Sequence, residues 1–214
     1  MAASGSREED FAVTEEQEKL EERELTNWLL GRLAKISEPD REAGLKAQKR
    51  FDSVAKPLRS LGVLEDDIVR IAEITGTPQV DFGKRALIIM CADNGIVQEG
   101  ISHTGKEVTA VVTANFTRGE SCACLMAQQA GADVFPVDIG VEMDLGPLGE
   151  CFPLLDRKIR RGTRNFLKEP ALTRREVLLA LKTGIELTEE LKKRGYGLIA
   201  TGEMGIGNTT TSSA

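Results

Sequence analysis

Histidine is nearly absent from this sequence: His103 is the only one among 214 residues. The four cysteines, Cys91, Cys122, Cys124 and Cys151, form no Cys-x-x-Cys pair. Together these scarcities exclude a zinc site of ordinary ligand spacing and fit reduced thiols in a cytosol. No apolar run approaches the roughly 20 residues that span a bilayer. Residues Met1 to Asp10 are small and polar where a signal peptide is basic and then apolar, so neither a leader nor an anchor is expected. Basic residues are also in deficit, 28 against 34 acidic ones, for a net charge of -6. That balance repels phosphate backbones and excludes a broad nucleic-acid or anionic-membrane surface. Small molecules or proteins remain as partners, in a cytoplasmic setting. Apolar material is plentiful by contrast: 41% hydrophobic residues suffice for a sizeable core.

Three regions differ in texture. Residues 1–13 read as a disordered lead. Residues 14–82 read as a small helical subdomain. Its first helix opens at Thr14, a cap to which Gln17 can return the bond, and the acidic first half suits the positive end of the helix dipole. Leu25, Trp28, Leu29 and Leu33 give that helix an apolar face, with the charges on a solvated one. A second helix is expected from about Pro39 to Ala55, ended by Lys56-Pro57, and a third from about Glu65 to Thr75 with Gly76 as its C-cap.

From residue 83 onward the pattern becomes α/β. Ala86-Leu87-Ile88-Ile89-Met90-Cys91-Ala92 is a continuous apolar run, as befits a strand buried on both faces. Two helical stretches, about 105–117 and 119–130, lead to a second strand from Asp133 to Ile139. Residues 141–170 read as irregular, and Thr173-Arg174-Arg175-Glu176 is a capping box for a long helix with Val177, Leu181, Ile185, Thr188 and Leu191 at helical spacing. Gly195 ends it, and Leu198-Ile199-Ala200-Thr201 is a third strand. Strands alternating with crossover helices imply a parallel, Rossmann-like three-layer sheet over residues 83–214. The sequence ends shortly after Thr210, early in the next crossover helix, so an incomplete sheet with an exposed apolar edge is expected.

In such a sheet, ligands bind beyond the carboxyl ends of strands, and the unusual residues fall there. After the first strand, Asp93 and Asn94 offer polar atoms, and Gly95 and Gly100 allow a tight backbone. An ordinary strand-to-helix turn with a capping Asp is the bland alternative. The second strand closes on Asp138-Ile139-Gly140. After the third, Gly202, Gly205 and Gly207 let backbone approach a ligand, and Asn208, Thr209 and Thr210 open a helix, which together read as a phosphate cradle. The lysine of a Walker A loop is missing, and Gly205-Ile206-Gly207 is a weak match to a dinucleotide fingerprint. Glu203, in the middle, suits ribose hydroxyls or the orientation of a nitrogen heterocycle, and is otherwise a loop carboxylate. Ser102 and His103 adjoin, but no Gly-x-Ser-x-Gly elbow accompanies them. Cys122 and Cys124 fall on different faces of a helix and read as inert. Arg157, Lys158, Arg160, Arg161, Arg164 and Lys168 form a basic cluster, either for an anionic substrate or for solubility.

Several of these segments resemble one family in order and spacing. Lys56-Pro57-Leu58-Arg59-Ser60-Leu61-Gly62-Val63-Leu64-Glu65, Ala92-Asp93-Asn94-Gly95 with Glu99-Gly100-Ile101-Ser102, Glu107-Val108-Thr109, Asn115-Phe116, Val137-Asp138-Ile139-Gly140 and Thr201 to Thr210 resemble nicotinate-nucleotide–dimethylbenzimidazole phosphoribosyltransferases, over roughly residues 14–214. The sequence departs from many relatives at Asn94, where they carry His, and at Pro57-Leu58-Arg59, where they carry Pro-Pro-Gly. The resemblance implies phosphoribosyl transfer from nicotinate mononucleotide to 5,6-dimethylbenzimidazole, in a homodimer without metal or redox cofactor. It implies that Gly202 to Thr210 hold the nucleotide, that Glu203 contacts it or assists, and that Ser102 lines an azole pocket. It also places the general base in a C-terminal segment that is not among these residues. Two other readings stand beside it: a nucleotide-binding or interaction protein without catalysis, and a nicotinamide-dependent oxidoreductase. The latter is disfavoured because the first strand ends in Asp93-Asn94-Gly95 instead of G-x-G-x-x-G.

Overall fold

A computed structural model describes residues 15–214, so the lead over 1–13 and the Thr14 cap lie outside the described residues. Three helices come first: α1 (Glu15–Leu33), α2 (Arg41–Ser53) and α3 (Val63–Thr75). α2 begins after Asp40, whose carboxylate accepts from the Glu42 and Ala43 N–H groups; this cap moves the start past Pro39. Gly76 closes α3 at φ 67, a left-handed conformation that glycine adopts without penalty. α2 and α3 meet through the buried small residues Ala43, Gly44, Ala47 and Ala72. The loop between them is tied by Glu65, which is 1% exposed. Its Oε1 accepts from Lys56 Nζ at 2.7 Å and from the Leu61 N–H at 3.1 Å. Lys56 therefore acts through its charge on a buried carboxylate, in addition to preceding Pro57.

The remainder builds one sheet from β1 (Lys84–Ala92), α4 (Glu107–Arg118), α5 (Cys122–Gln129), β2 (Ala132–Gly140), β3 (Leu155–Asp156), α6 (Arg174–Lys193), β4 (Tyr196–Met204) and α7 (Asn208–Ser213). All pairings are parallel, in the order β3-β2-β1-β4. The chain steps outward from β1 through β2 to β3, then returns to the other side of β1. Right-handed crossovers in opposite directions put their helices on opposite faces. One face accordingly packs Ile89, Cys91 and Val134 against Ala110, Phe116, Cys124 and Ala127 of α4 and α5. The other packs Ala86, Ile88, Phe135 and Val137 against Leu187 and Leu191 of α6.

Four expectations need correction. The region read as irregular contains β3, a two-residue strand pairing Leu155 and Asp156 with Val137 and Asp138; so short an element carries no periodic signal. β4 is more than twice as long as expected, because its pairing with β1 runs on through Gly202 and Glu203, residues poor in strand propensity, and it takes in Gly197 at a register irregularity. In α6 the buried residues are Leu178, Leu187 and Leu191, whereas Val177 and Leu181 are 41% and 47% exposed. Leu33, placed on the apolar face of α1, is 51% exposed. α1 lies on α6 through partly polar contacts: Arg32 pairs with Glu189 at 2.7 Å, and both Arg32 and Lys182 stand over the Trp28 ring. Among the described residues no strand pairs with the outer edge of β4, and Leu198 there is 42% exposed. No described helix is long and apolar enough to cross a membrane.

Candidate functional site

The reversal of strand order lies between β1 and β4, and a doubly wound sheet opens a crevice at such a point because the flanking loops diverge to opposite faces. A cleft of about 240 Å³ occupies that position. Met90 and Ala92 of β1, Ile139 of β2, Glu203 and Met204 of β4, Asn94 from the β1 turn, and Asn208, Thr211 and Ser212 of α7 line it. Larger hollows of about 470 and 320 Å³ lie between α1 and α6 and beneath α2 and α3. They are remote from the strand ends and lack convergent polar groups on turns, so size does not decide the site here.

Three of the residues singled out by sequence converge in the cleft. Glu203 is exposed, and its Oε1 accepts from Asn208 Nδ2 at 2.9 Å, which aims both side chains into one space. Asn94 is 9% exposed, donates through Nδ2 to the Ile206 carbonyl at 3.1 Å, and accepts from Thr211 Oγ1 at 2.9 Å. The glycines shape the floor. A Cβ on Gly205 would overlap the Ala92 carbonyl oxygen and come within 2.8 Å of Asn94 Nδ2, while Gly207 turns the chain at φ 84. Gly202 pairs with Ile89 inside the sheet, below the cleft.

Other candidates have structural partners. Asp93 is fully buried and its Oδ2 accepts from the Glu142 N–H at 2.8 Å, so it pins the 141–173 segment instead of facing the cleft. Gly95 is required by close approach: its N–H donates to Thr163 Oγ1 at 3.0 Å, and a Cβ would lie 2.5 Å from Thr163 O. Asp138, 3% exposed, accepts from Lys158 Nζ at 2.6 Å and from the Val141 N–H at 2.9 Å. Thr209 and Thr210 are exposed on α7 outside the cleft lining, and Ser102 is engaged with Thr104 in the loop before α4. Most of the basic cluster is spent internally. Lys158 goes to Asp138, Arg164 to Glu176, Arg161 to the Glu142 carbonyl and Lys168 to Glu99, while Arg160 lies 3.6 Å from Glu176 with its Nε and Nη1 buried and without a hydrogen-bond partner. The Lys168 and Asn165 hydrogen bonds hold the Glu99 carboxyl below the usual carboxylate range. At Glu176 burial opposes the charge, but the Arg164 hydrogen bond and the α6 capping box outweigh it and lower the pKa. These contacts fasten the 157–168 segment to β2, to α6 and to the turn after β1, and none of its basic residues lines the cleft. Cys91, inside the sheet, has its thiol pushed up to about 11 by burial.

Sequence reasoning missed Met90, Ile139 and Met204, whose core-like character hides their place at strand ends, and also Thr109, a fully buried α4 hydroxyl that accepts the Ile206 N–H at 3.1 Å. α4 carries three buried threonines, Thr109, Thr113 and Thr117, so nothing in the sequence marked Thr109 among them. Among the described residues no group of three or more His, Cys, Asp or Glu is placed to hold a metal ion.

Known proteins match this arrangement. A family model described as phosphoribosyltransferase matches residues 36–214. The nicotinate-nucleotide–dimethylbenzimidazole phosphoribosyltransferase of Acetivibrio thermocellus is 50% identical over 182 residues, 85% of this chain and 51% of that protein. The protein of the same name from Ruminiclostridium cellulolyticum is 46% identical over 179 residues, 84% of this chain and 50% of its own. The crystal structure of CobT from Thermus thermophilus superposes with a TM-score of 0.74 at 38% identity, covering 80% of this chain and 51% of that one. The chain thus spans about half the length of these relatives. On the match over residues 36–214, and on the fold and turn motifs it shares with them, the chain belongs to the nicotinate-nucleotide–dimethylbenzimidazole phosphoribosyltransferase family.

Proposed function

We propose that this chain supplies the nucleotide-holding half of a site that transfers phosphoribose from nicotinate mononucleotide to 5,6-dimethylbenzimidazole or a related azole, giving α-ribazole 5'-phosphate and nicotinate. The observation that carries this reading is the convergence of Asn94, Glu203 and Asn208 on a cleft at the β1/β4 reversal, in a chain whose relatives bear that name. In the reaction, the bond from the anomeric carbon to the pyridinium nitrogen breaks, and its electron pair leaves with nicotinate. An azole nitrogen forms the new bond from the opposite side, and a base takes the proton from the other azole nitrogen. Glu203, on the cleft floor and oriented by Asn208, serves the ribose hydroxyls. The Gly205–Gly207 turn and the start of α7 receive the phosphate end. Holding the anomeric carbon in line is the main contribution of these residues. The proton-accepting base lies outside residues 15–214, and the functional form is a homodimer without metal or redox cofactor.

Calorimetric titration of the 214-residue chain with nicotinate mononucleotide, followed by incubation with the azole and chromatography for α-ribazole phosphate, tests the reading. Heat of binding without turnover is expected, and Glu203→Gln should weaken it. Full-rate turnover by this chain alone would refute the external base, and a folded chain that takes up no nucleotide would refute the proposal. A nucleotide-binding or interaction protein without catalysis is the second reading, and product formed once a base is supplied separates the first from it.

A further inference from the structure

The backbone of Ile206, between the two glycines of the cleft turn, is gripped at both of its peptide groups. Its carbonyl accepts from Asn94 Nδ2 at 3.1 Å, and its N–H donates to Thr109 Oγ1 at 3.1 Å. The grips come from different elements: Asn94 ends β1, and Thr109 is a fully buried residue of α4. The two grips hold neighbouring peptide groups, Gly205–Ile206 and Ile206–Gly207, and the glycine on one side of each leaves that peptide freer to reorient than one between two side-chain-bearing residues. Rotating the first peptide would take its N–H from the buried Thr109 hydroxyl, and rotating the second would take its carbonyl from the nearly buried Asn94 Nδ2, and each loss is costly. Asn94 also accepts from Thr211 Oγ1 at 2.9 Å, so one side chain fixes the turn and the second turn of α7 together. Both ends of its amide are thereby consumed within the protein. Asn208, two residues after Ile206, then meets Glu203 at 2.9 Å across the cleft.

We propose that Asn94 and Thr109 are positioning residues that lock the backbone on both sides of Ile206, and through it set Asn208 and Glu203 for the nucleotide. The binding consequence rests on the function proposed above; the locking itself does not. Thr109→Val keeps the shape of the side chain and removes the acceptor, Thr109→Ser restores it, and Asn94→Ala removes the opposite grip. Hydrogen exchange on the parent and on each variant should show the Ile206 amide opening roughly tenfold faster in Thr109→Val, the equilibrium factor of about one hydrogen bond, with protection recovered in Thr109→Ser and the α2–α3 amides unchanged. Nicotinate mononucleotide should bind roughly five- to tenfold more weakly to Thr109→Val and to Asn94→Ala, and near parent strength to Thr109→Ser. Unchanged Ile206 exchange in Thr109→Val overturns the lock. So does an increase spread evenly over the sheet, which marks plain destabilisation. Parent-like affinity in Thr109→Val overturns the positioning role. A parent chain that takes up no nucleotide sinks the functional reading alone, and exchange at Ile206 then decides the lock.

Discussion

Replacing Gly205 by alanine tests whether the cleft turn must lie flat on the end of β1. A Cβ there would overlap the Ala92 carbonyl oxygen and stand 2.8 Å from Asn94 Nδ2, against an ordinary contact that begins at 3.4 Å. Neither obstacle is the loose end of a flexible chain: one is backbone paired in the sheet, the other an amide held by Ile206 and Thr211. The turn must retreat by more than an ångström. Overpacking of this kind costs about 1–3 kcal/mol. Loosening the Asn94 and Thr109 bonds to Ile206 adds about 1 kcal/mol each. A total of about 3–5 kcal/mol is a large part of the roughly 5–15 kcal/mol that typically holds a domain. With a urea slope of about 1–3 kcal/mol per molar, the unfolding midpoint followed by circular dichroism should fall by at least about 1 M. Nucleotide uptake should be lost even below the transition. A midpoint within about 0.3 M of the parent, with unchanged affinity, would refute the close-approach argument.

The opposite sign is expected at Gly184 inside α6, where a Cβ meets nothing within 4 Å; Gly184→Ala should raise stability by about 0.5–1 kcal/mol in the same urea titration. Thiol labelling with a disulfide reagent at pH 8 should modify exposed Cys122 and Cys151 quickly, and buried Cys91 and Cys124 only at the unfolding rate. Four fast thiols would contradict the packed α4–α5 face. Glu65 is held below the usual carboxylate range by the Lys56 hydrogen bond and the Leu61 N–H. Its contribution is therefore full above the ordinary value of 4.5 and fades as pH falls through the lowered one. Glu65→Gln should lower the melting temperature at pH 7 and approach the parent near pH 3, and an equal deficit at both pH values would show that the pair's charge is irrelevant.

Local patterns were enough for much of this architecture. The continuous apolar run of β1, the capping box at Thr173 and the C-cap glycine at Gly76 each act over a few residues, so their physics is complete within the sequence that carries it. The same holds for the glycine-rich turn after β4, whose spacing with the Asp93-Asn94-Gly95 turn also carried the family resemblance. Tertiary structure decided which polar groups face a ligand and which face the protein. Asp93, Asp138 and the arginines of the 157–168 segment looked like substrate contacts, yet partners 20 and 49 residues away claim Asp138 and Asp93. Which stripe of α6 is buried depended on where the sheet lies, which no helical period encodes. The locking of Ile206 needed the meeting of β1, α4 and the β4 turn, a contact over 97 and 112 residues of chain. Sequence by itself determined the elements and the family, because those rest on short-range preference and ordered motifs. Only the fold decided that Asn94 supports the site from within, because a side chain's role is set by the partners that long-range packing brings to it.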